Sequence, residues 1–200
     1  MIVAGLTGSI AMGKSETAKM FAARGIPVFD SDQAVHELYA KGGEAVTPVS
    51  TLAPAAIVDG AVDRQRLAKL VREDPSLLKK IEAVVHPLVR SRQDGFLEHA
   101  RRDGAPFAVL DIPLLFETGR HREVDRILVV SAPAHIQRAR ALKRPDMTVE
   151  KLDFILARQV PDDEKRAGAD YVIDTSVDLE TTAREVGRII AELKKAAETQ

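Results

Sequence analysis

The chain of 200 residues contains no cysteine, no tryptophan and no asparagine, and only 4% of it is aromatic. The lack of cysteine excludes disulfides and thiolate metal sites and agrees with a reducing compartment. There is no excess of charge either. With 29 Lys and Arg against 30 Asp and Glu, the formal charge is −1, so no global field draws the molecule to nucleic acid or to a membrane surface. An anionic substrate must therefore be held by local basic clusters. No apolar run approaches the roughly 20 residues of a membrane span, and the chain does not open with a basic, then apolar leader. The expectation is a soluble, cytoplasmic protein with neither a nucleic-acid nor a membrane partner. Repeats and low-complexity segments are missing too. What is present is 45% hydrophobic content, enough for one generous domain or for a core with inserted subdomains.

The most informative stretch is GSIAMGKS, Gly8 to Ser15, which follows the apolar run MIVAGL and fits G-x-x-x-x-G-K-[ST]. Between a strand and a helix, this pattern is a phosphate-binding loop. Gly8 and Gly13 let the backbone curl so that successive N–H groups point at phosphate oxygens, and the helix from Lys14 to about Arg24 presents its positive N-terminus. Lys14 is expected to reach the β- and γ-phosphates of a nucleotide, and Ser15 to ligate Mg²⁺.

Apolar runs at Ile2 to Leu6, Phe107 to Ile112, Ile127 to Val130 and Tyr171 to Ile173 read as buried parallel strands, with helical periods between them. Ile26 to Phe29, entered through Gly25, reads as a further strand that delivers Asp30 and Asp32 at its end. Strand and helix in alternation imply an α/β fold of the P-loop NTPase type, three layers around a mostly parallel sheet, with its sites at the carboxyl ends of the strands. Between Asp32 and Asp103 only helical patterns occur: Ser31 to Ala40, Asp63 to Arg72, Ser76 to Val85 and Pro87 to Arg102, separated by the Gly42-Gly43 and Pro48 to Gly60 loops. A second insertion, about Ala134 to Gly168, carries Arg138, Arg140, Lys143, Arg144, Arg158, Lys165 and Arg166 on two helices and reads as a mobile basic lid. The resulting division is a core of residues 1–32, 104–133 and 168–200, a helical insertion at 33–103 and a lid at 134–167. In the last helix, Leu179 to Ala197, the stripe Val186, Ile189, Ile190 and Leu193 packs on the sheet.

Four constellations bear on chemistry. Asp30-Ser31-Asp32 offers a carboxylate to an acceptor hydroxyl, against the competing reading that Asp30 or Ser31 caps a helix. Asp111 ends an apolar strand, as does the residue that holds Mg²⁺ beside many phosphate loops, and Pro113 directs the chain into a loop rather than a helix. His86-Pro87 with Arg90 and Arg92 is weak on its own, since a lone histidine is more often structural. The basic lid can close a guanidinium over a phosphoryl group or be a solvated face.

In this order and spacing, GLTGSIAMGKS, FDSD, HPLVR, DIPLLFE, QRARALKR and ADYVIDTS resemble the dephospho-CoA kinase family over essentially the whole chain. The resemblance implies transfer of the γ-phosphoryl of ATP to the 3′-hydroxyl of the ribose of dephospho-CoA, with Mg²⁺, in a helical acceptor insertion and lid. It implies Asp32 as acceptor-side base, with Lys14 and Arg144 beside it in catalysis, and Ser15 and Asp111 on the metal. The ATP site would comprise Gly8, Ala11, Met12, Gly13, Lys14, Ser15, Glu16, Arg140 and Thr175. The acceptor site would comprise His86, Arg90, Asp111 and Leu115, His86 on the resemblance alone. The chain departs from the pattern in four places. Ala11 and Met12 replace glycine and serine, which is tolerable if the φ of Ala11 is negative and which makes the loop bulkier; Glu16 replaces threonine; Thr175 replaces an asparagine near the adenine, losing its amide contact. Another small-molecule P-loop kinase would share the loop and lid. A regulatory GTP switch would need an N-K-x-D guanine reader, which a chain without asparagine cannot form.

Overall fold

Unbroken apolar runs make the sheet. In chain order the strands are β1 (Ile2–Thr7), β2 (Val28–Asp30), β3 (Ile57–Val58), β4 (Ala61–Val62), β5 (Phe107–Asp111), β6 (Arg126–Ser131) and β7 (Tyr171–Asp174). The helices are α1 (Lys14–Ala22), α2 (Ser31–Tyr39), α3 (Val46–Leu52), α4 (Arg64–Glu73), α5 (Ser76–Arg102), α6 (Ala134–Leu142), α7 (Val149–Leu156), α8 (Asp162–Ala167) and α9 (Leu179–Glu198). This computed structural model describes residues 1–199 and divides into two compact units, one made of Met1–Phe29 with the chain from Ala100 onward, the other of Asp30–His99. Among the described residues no helix is long and apolar enough to cross a membrane.

The first unit holds a five-stranded sheet in the order β2-β5-β1-β6-β7, with β1 parallel to both β5 and β6, and β6 parallel to β7. β1 is buried along its whole length, as a central parallel strand must be when both faces are covered. Its alternate residues Ile2, Ala4 and Leu6 share a core with Phe21 of α1 and with the expected α9 stripe of Val186, Ile189, Ile190 and Leu193. Toward the opposite face Gly5 lies against Leu115 and Val124, which belong to the segment between β5 and β6, and α8 packs against β6. The three-layer α/β/α fold expected from the sequence is the one observed. The second strand runs Val28–Asp30 rather than from Ile26, because Ile26 is still part of the turn that ends α1, where its N–H bonds the carbonyl of Phe21.

The second unit is mostly helical but not wholly so. The expected loop from Pro48 to Gly60 contains α3 and a minimal antiparallel hairpin of β3 and β4. The hairpin closes through Asp59 (φ 51°) and Gly60 (φ 80°), both left-handed, the backbone of a two-residue type I′ turn. Asp-Gly between paired apolar residues is the strongest short-range hairpin signal, and it stands in the sequence as VDGA. Pro48 sits within the first turns of α3, where its missing N–H would have no intrahelical partner. The expected break at Pro87 does not occur either, since α5 runs through it. Proline here removes one bond to the Ala83 carbonyl, and both residues are exposed, so water replaces the lost donor while Val85 and Val89 stay buried on the other side.

Candidate active site

The loop from Gly8 to Gly13 joins β1 to α1 at the carboxyl edge of the sheet, and its glycines are dictated by space and angle. A Cβ on Gly8 would lie 2.3 Å from Val130 Cγ2 and 2.8 Å from the Val130 carbonyl oxygen, so only glycine lets the loop pass β6. Gly13 is the N-cap of α1 in the left-handed region, φ 88°. Ala11 is left-handed as well, φ 62°, contrary to the negative φ that would make an alanine comfortable there. The strain is held in place by packing: Ala11 and Ile10 sit in a small core with Ala141 of α6 and with Leu152 and Leu156 of α7. Met12 does not crowd the loop as its bulk suggested. Its side chain is buried at 2% exposure among the sheet residues, where Sδ accepts the Ala132 N–H at 3.2 Å.

At the start of α1 the ammonium of Lys14 forms an ion pair with the Asp111 carboxylate at the end of β5. The register explains the meeting, since Asp111 stands opposite Leu6, two residues before the loop begins. Asp111 is almost wholly buried, whereas Ser15 and Glu16 are exposed on the first turn of α1, Glu16 pairing with Lys19 at 2.7 Å. Thr175 replaces the expected amide contact with a different one: its hydroxyl donates to the Met12 carbonyl at 2.8 Å and lies against Gly13. Arg140 of α6 donates to the Thr175 carbonyl at 2.6 Å and to its hydroxyl at 3.3 Å, tying lid to strand end. Arg144, two residues beyond α6 and followed by the left-handed Asp146, is exposed at the lid's tip.

The lid has three helices, not two, and it is fastened to the phosphate loop. Gln137 of α6 donates to the Ile10 carbonyl at 2.9 Å, and Gln159 accepts the Ile10 N–H at 3.0 Å. Leu115, expected at the acceptor site, is fully buried and anchors its loop from beneath, while Leu114 beside it is 44% exposed. Within the second unit, Asp30 caps α2 by accepting the Gln33 N–H at 2.9 Å, so the capping reading holds for Asp30 and leaves Asp32 exposed in the first turn. His86 and Arg90 are exposed on α5, and Arg92 pairs with Glu37 at 2.8 Å.

A model of the dephospho-CoA kinase family matches residues 1–181. The chain belongs to the dephospho-CoA kinase family. A dephospho-CoA kinase of Mesorhizobium japonicum is 56% identical over 194 residues, spanning 97% of this chain and 98% of that protein, and one of Brucella melitensis is 51% identical over the whole of both. Among solved structures, a Thermus thermophilus protein at 37% identity superposes with a TM-score of 0.79 over 96% of this chain and 97% of that one. The dephospho-CoA kinase of Campylobacter jejuni, at 22% identity, shares the fold with a TM-score of 0.73 over 97% and 98%.

Three polar residues that matter to this dephospho-CoA kinase scaffold escaped the sequence reading. Lys165 was grouped with the lid's basic face, yet it is fully buried and pairs with Glu117 at 2.8 Å. Ser9 accepts a hydrogen bond from the same ammonium at 3.2 Å. Glu117 ends the DIPLLFE stretch, a visible signal; Lys165 lies in the polar run DDEKRA, which carries none.

Proposed function

We propose that this protein is an ATP-dependent dephospho-CoA kinase in which the loop from Gly8 to Ser15 holds the triphosphate, Asp32 takes or orients the proton of the ribose 3′-hydroxyl, and the γ-phosphoryl passes to that oxygen to complete coenzyme A. The observation that supports it most is the Lys14 and Asp111 pair at the strand ends, a cation of the phosphate loop and a buried carboxylate held ready together. The pair keeps Lys14 charged and placed before nucleotide arrives; binding exchanges its carboxylate partner for phosphate oxygens. Asp111 and the Ser15 hydroxyl are hard oxygen donors, and no cluster of three or more acidic or imidazole groups occurs among the described residues. That donor set fits Mg²⁺, which takes few protein oxygens and the substrate's phosphates and which, when bound, neutralises charge on the β- and γ-phosphates. Gly8, Ala11, Met12, Gly13 and Glu16 complete the triphosphate loop, Arg140 and Thr175 lie on the nucleotide side, and Arg144 reaches the phosphoryl group from the lid. His86, Arg90 and the loop supported by Leu115 receive the acceptor. The cysteine-free chain suits a reducing cytoplasm.

A coupled ADP-release assay over a panel of acceptors tests this. Turnover is expected with Mg-ATP and dephospho-CoA. Robust phosphorylation of a nucleoside monophosphate or of shikimate, with none of dephospho-CoA, would reject it.

A further inference from the structure

Burying an ammonium costs free energy that a single carboxylate rarely returns, and a well-packed apolar pair is often as stable. Lys165 is nevertheless entirely buried, its Nζ 2.8 Å from Glu117 Oε1 and 3.2 Å from Ser9 Oγ. Glu117 Oε1 also accepts the Val160 N–H at 3.0 Å, and its Oε2 is buried without a hydrogen-bond partner, so removing the lysine would strand the carboxylate. The helix that carries Lys165 is moored a second time, because Asp162 accepts the Ser131 hydroxyl at 2.6 Å at the end of β6. One ammonium thus grips Ser9, in the phosphate loop, and Glu117, in the loop after β5 whose first residues follow Asp111. What the charge contributes beyond stability is direction: two hydrogen bonds at fixed angles to two loops that must hold their places relative to each other.

We propose that Lys165 is a positioning residue, which sets the phosphate loop through Ser9 and the acceptor-side loop through Glu117 while touching neither substrate. The assignment of that second loop to the acceptor rests on the function proposed above. Lys165→Met alone leaves a buried, unpaired carboxylate and can unfold the protein, so the informative variant is Lys165→Met with Glu117→Gln, which buries no charge. Its thermal midpoint should stay near wild type, while kcat/KM falls by about tenfold to a hundredfold whether ATP or dephospho-CoA is varied, as small misplacements of reacting groups do. Ser9→Ala isolates one arm. It should weaken a non-hydrolysable ATP analogue in calorimetry by several-fold and leave the KM for dephospho-CoA within about twofold of wild type. A folded double variant with wild-type kinetics, or with loss toward one substrate only, overturns the proposal, as does Ser9→Ala with unchanged nucleotide affinity. If the wild-type protein itself ignores dephospho-CoA, the function fails instead, and the calorimetric arm still decides whether Lys165 holds the phosphate loop.

Discussion

Two side chains and one missing side chain decide most of the chemistry at the scale of the residue. The hydrogen of Gly8 occupies the only space between the phosphate loop and β6, and the atom a Cβ would strike at 2.8 Å is the Val130 backbone carbonyl, which the sheet cannot move. Gly8→Ala should therefore lower the thermal midpoint and abolish ATP binding measured by calorimetry; a variant with wild-type affinity would mean that the loop can swing clear of β6. Asp32 is free to be tested because its neighbour Asp30, and not Asp32, caps α2. Asp32→Asn should leave the helix intact and the KM for ATP unchanged while kcat drops by roughly 10² to 10⁴, the usual worth of a positioned base. Wild-type turnover would reduce Asp32 to a surface residue. Lys14, Ser15 and Asp111 were legible in the sequence because a phosphate loop and a carboxylate at a strand end are local patterns. Lys165 was not, since a lysine in a polar run reads as solvated, and only the packing of α8 on β6 takes it out of water.

At the scale of the element, the strands of the main sheet were legible as unbroken apolar runs, and α9 as a stripe at helical spacing, because burial on two faces or on one writes itself into hydrophobicity. Local breakers misled elsewhere. Pro48 and Pro87 each suggested an end or a loop, yet both are accommodated within helices, at an N-terminal turn and on an exposed face. Proline in a helix interior costs about 3 kcal/mol relative to alanine, so Pro87→Ala should raise the thermal midpoint, by several degrees if even a third of that is recovered. An unchanged or lowered midpoint would show that the flanking helix is adapted to the proline. The lid makes a second test. Its planar guanidinium can bridge two phosphoryl oxygens where an ammonium cannot, so Arg144→Lys should lower kcat while dephospho-CoA affinity measured without ATP stays near wild type. If only acceptor affinity falls, Arg144 belongs to the acceptor side and Arg140, now tied to Thr175, becomes the better lid arginine.

For the whole molecule, pH sets limits to the fold that no single element determines. Five carboxyl groups are held below their usual range: Asp74 first by the Ser76 hydroxyl, Asp174 by the Ser176 side chain, Asp178 by the Thr181 backbone N–H, Glu150 by its own backbone N–H and Glu185 by the Arg188 guanidinium. A group whose folded pKa is depressed stabilises the fold above its unfolded value, near 4 for carboxylates, and that contribution disappears as pH falls through the folded value. Tyr39 and Tyr171 are pushed up, first by burial, so they favour the fold while neutral and lose that contribution as pH rises past about 10 and through their folded values. The thermal midpoint should accordingly be flat from about pH 5 to pH 9 and decline on either side, more steeply in acid, where more groups are involved. Asp178 gives the sharpest test, because it caps α9, the longest helix against the sheet, through the Thr181 N–H and hydroxyl at 2.8 Å each. Asp178→Ala should lower the midpoint at neutral pH, and its deficit should shrink as the wild-type carboxylate is protonated below about pH 3. A deficit as large in acid as at neutrality would mean that the cap acts by geometry alone, and the acid limb would then have to come from the other four groups.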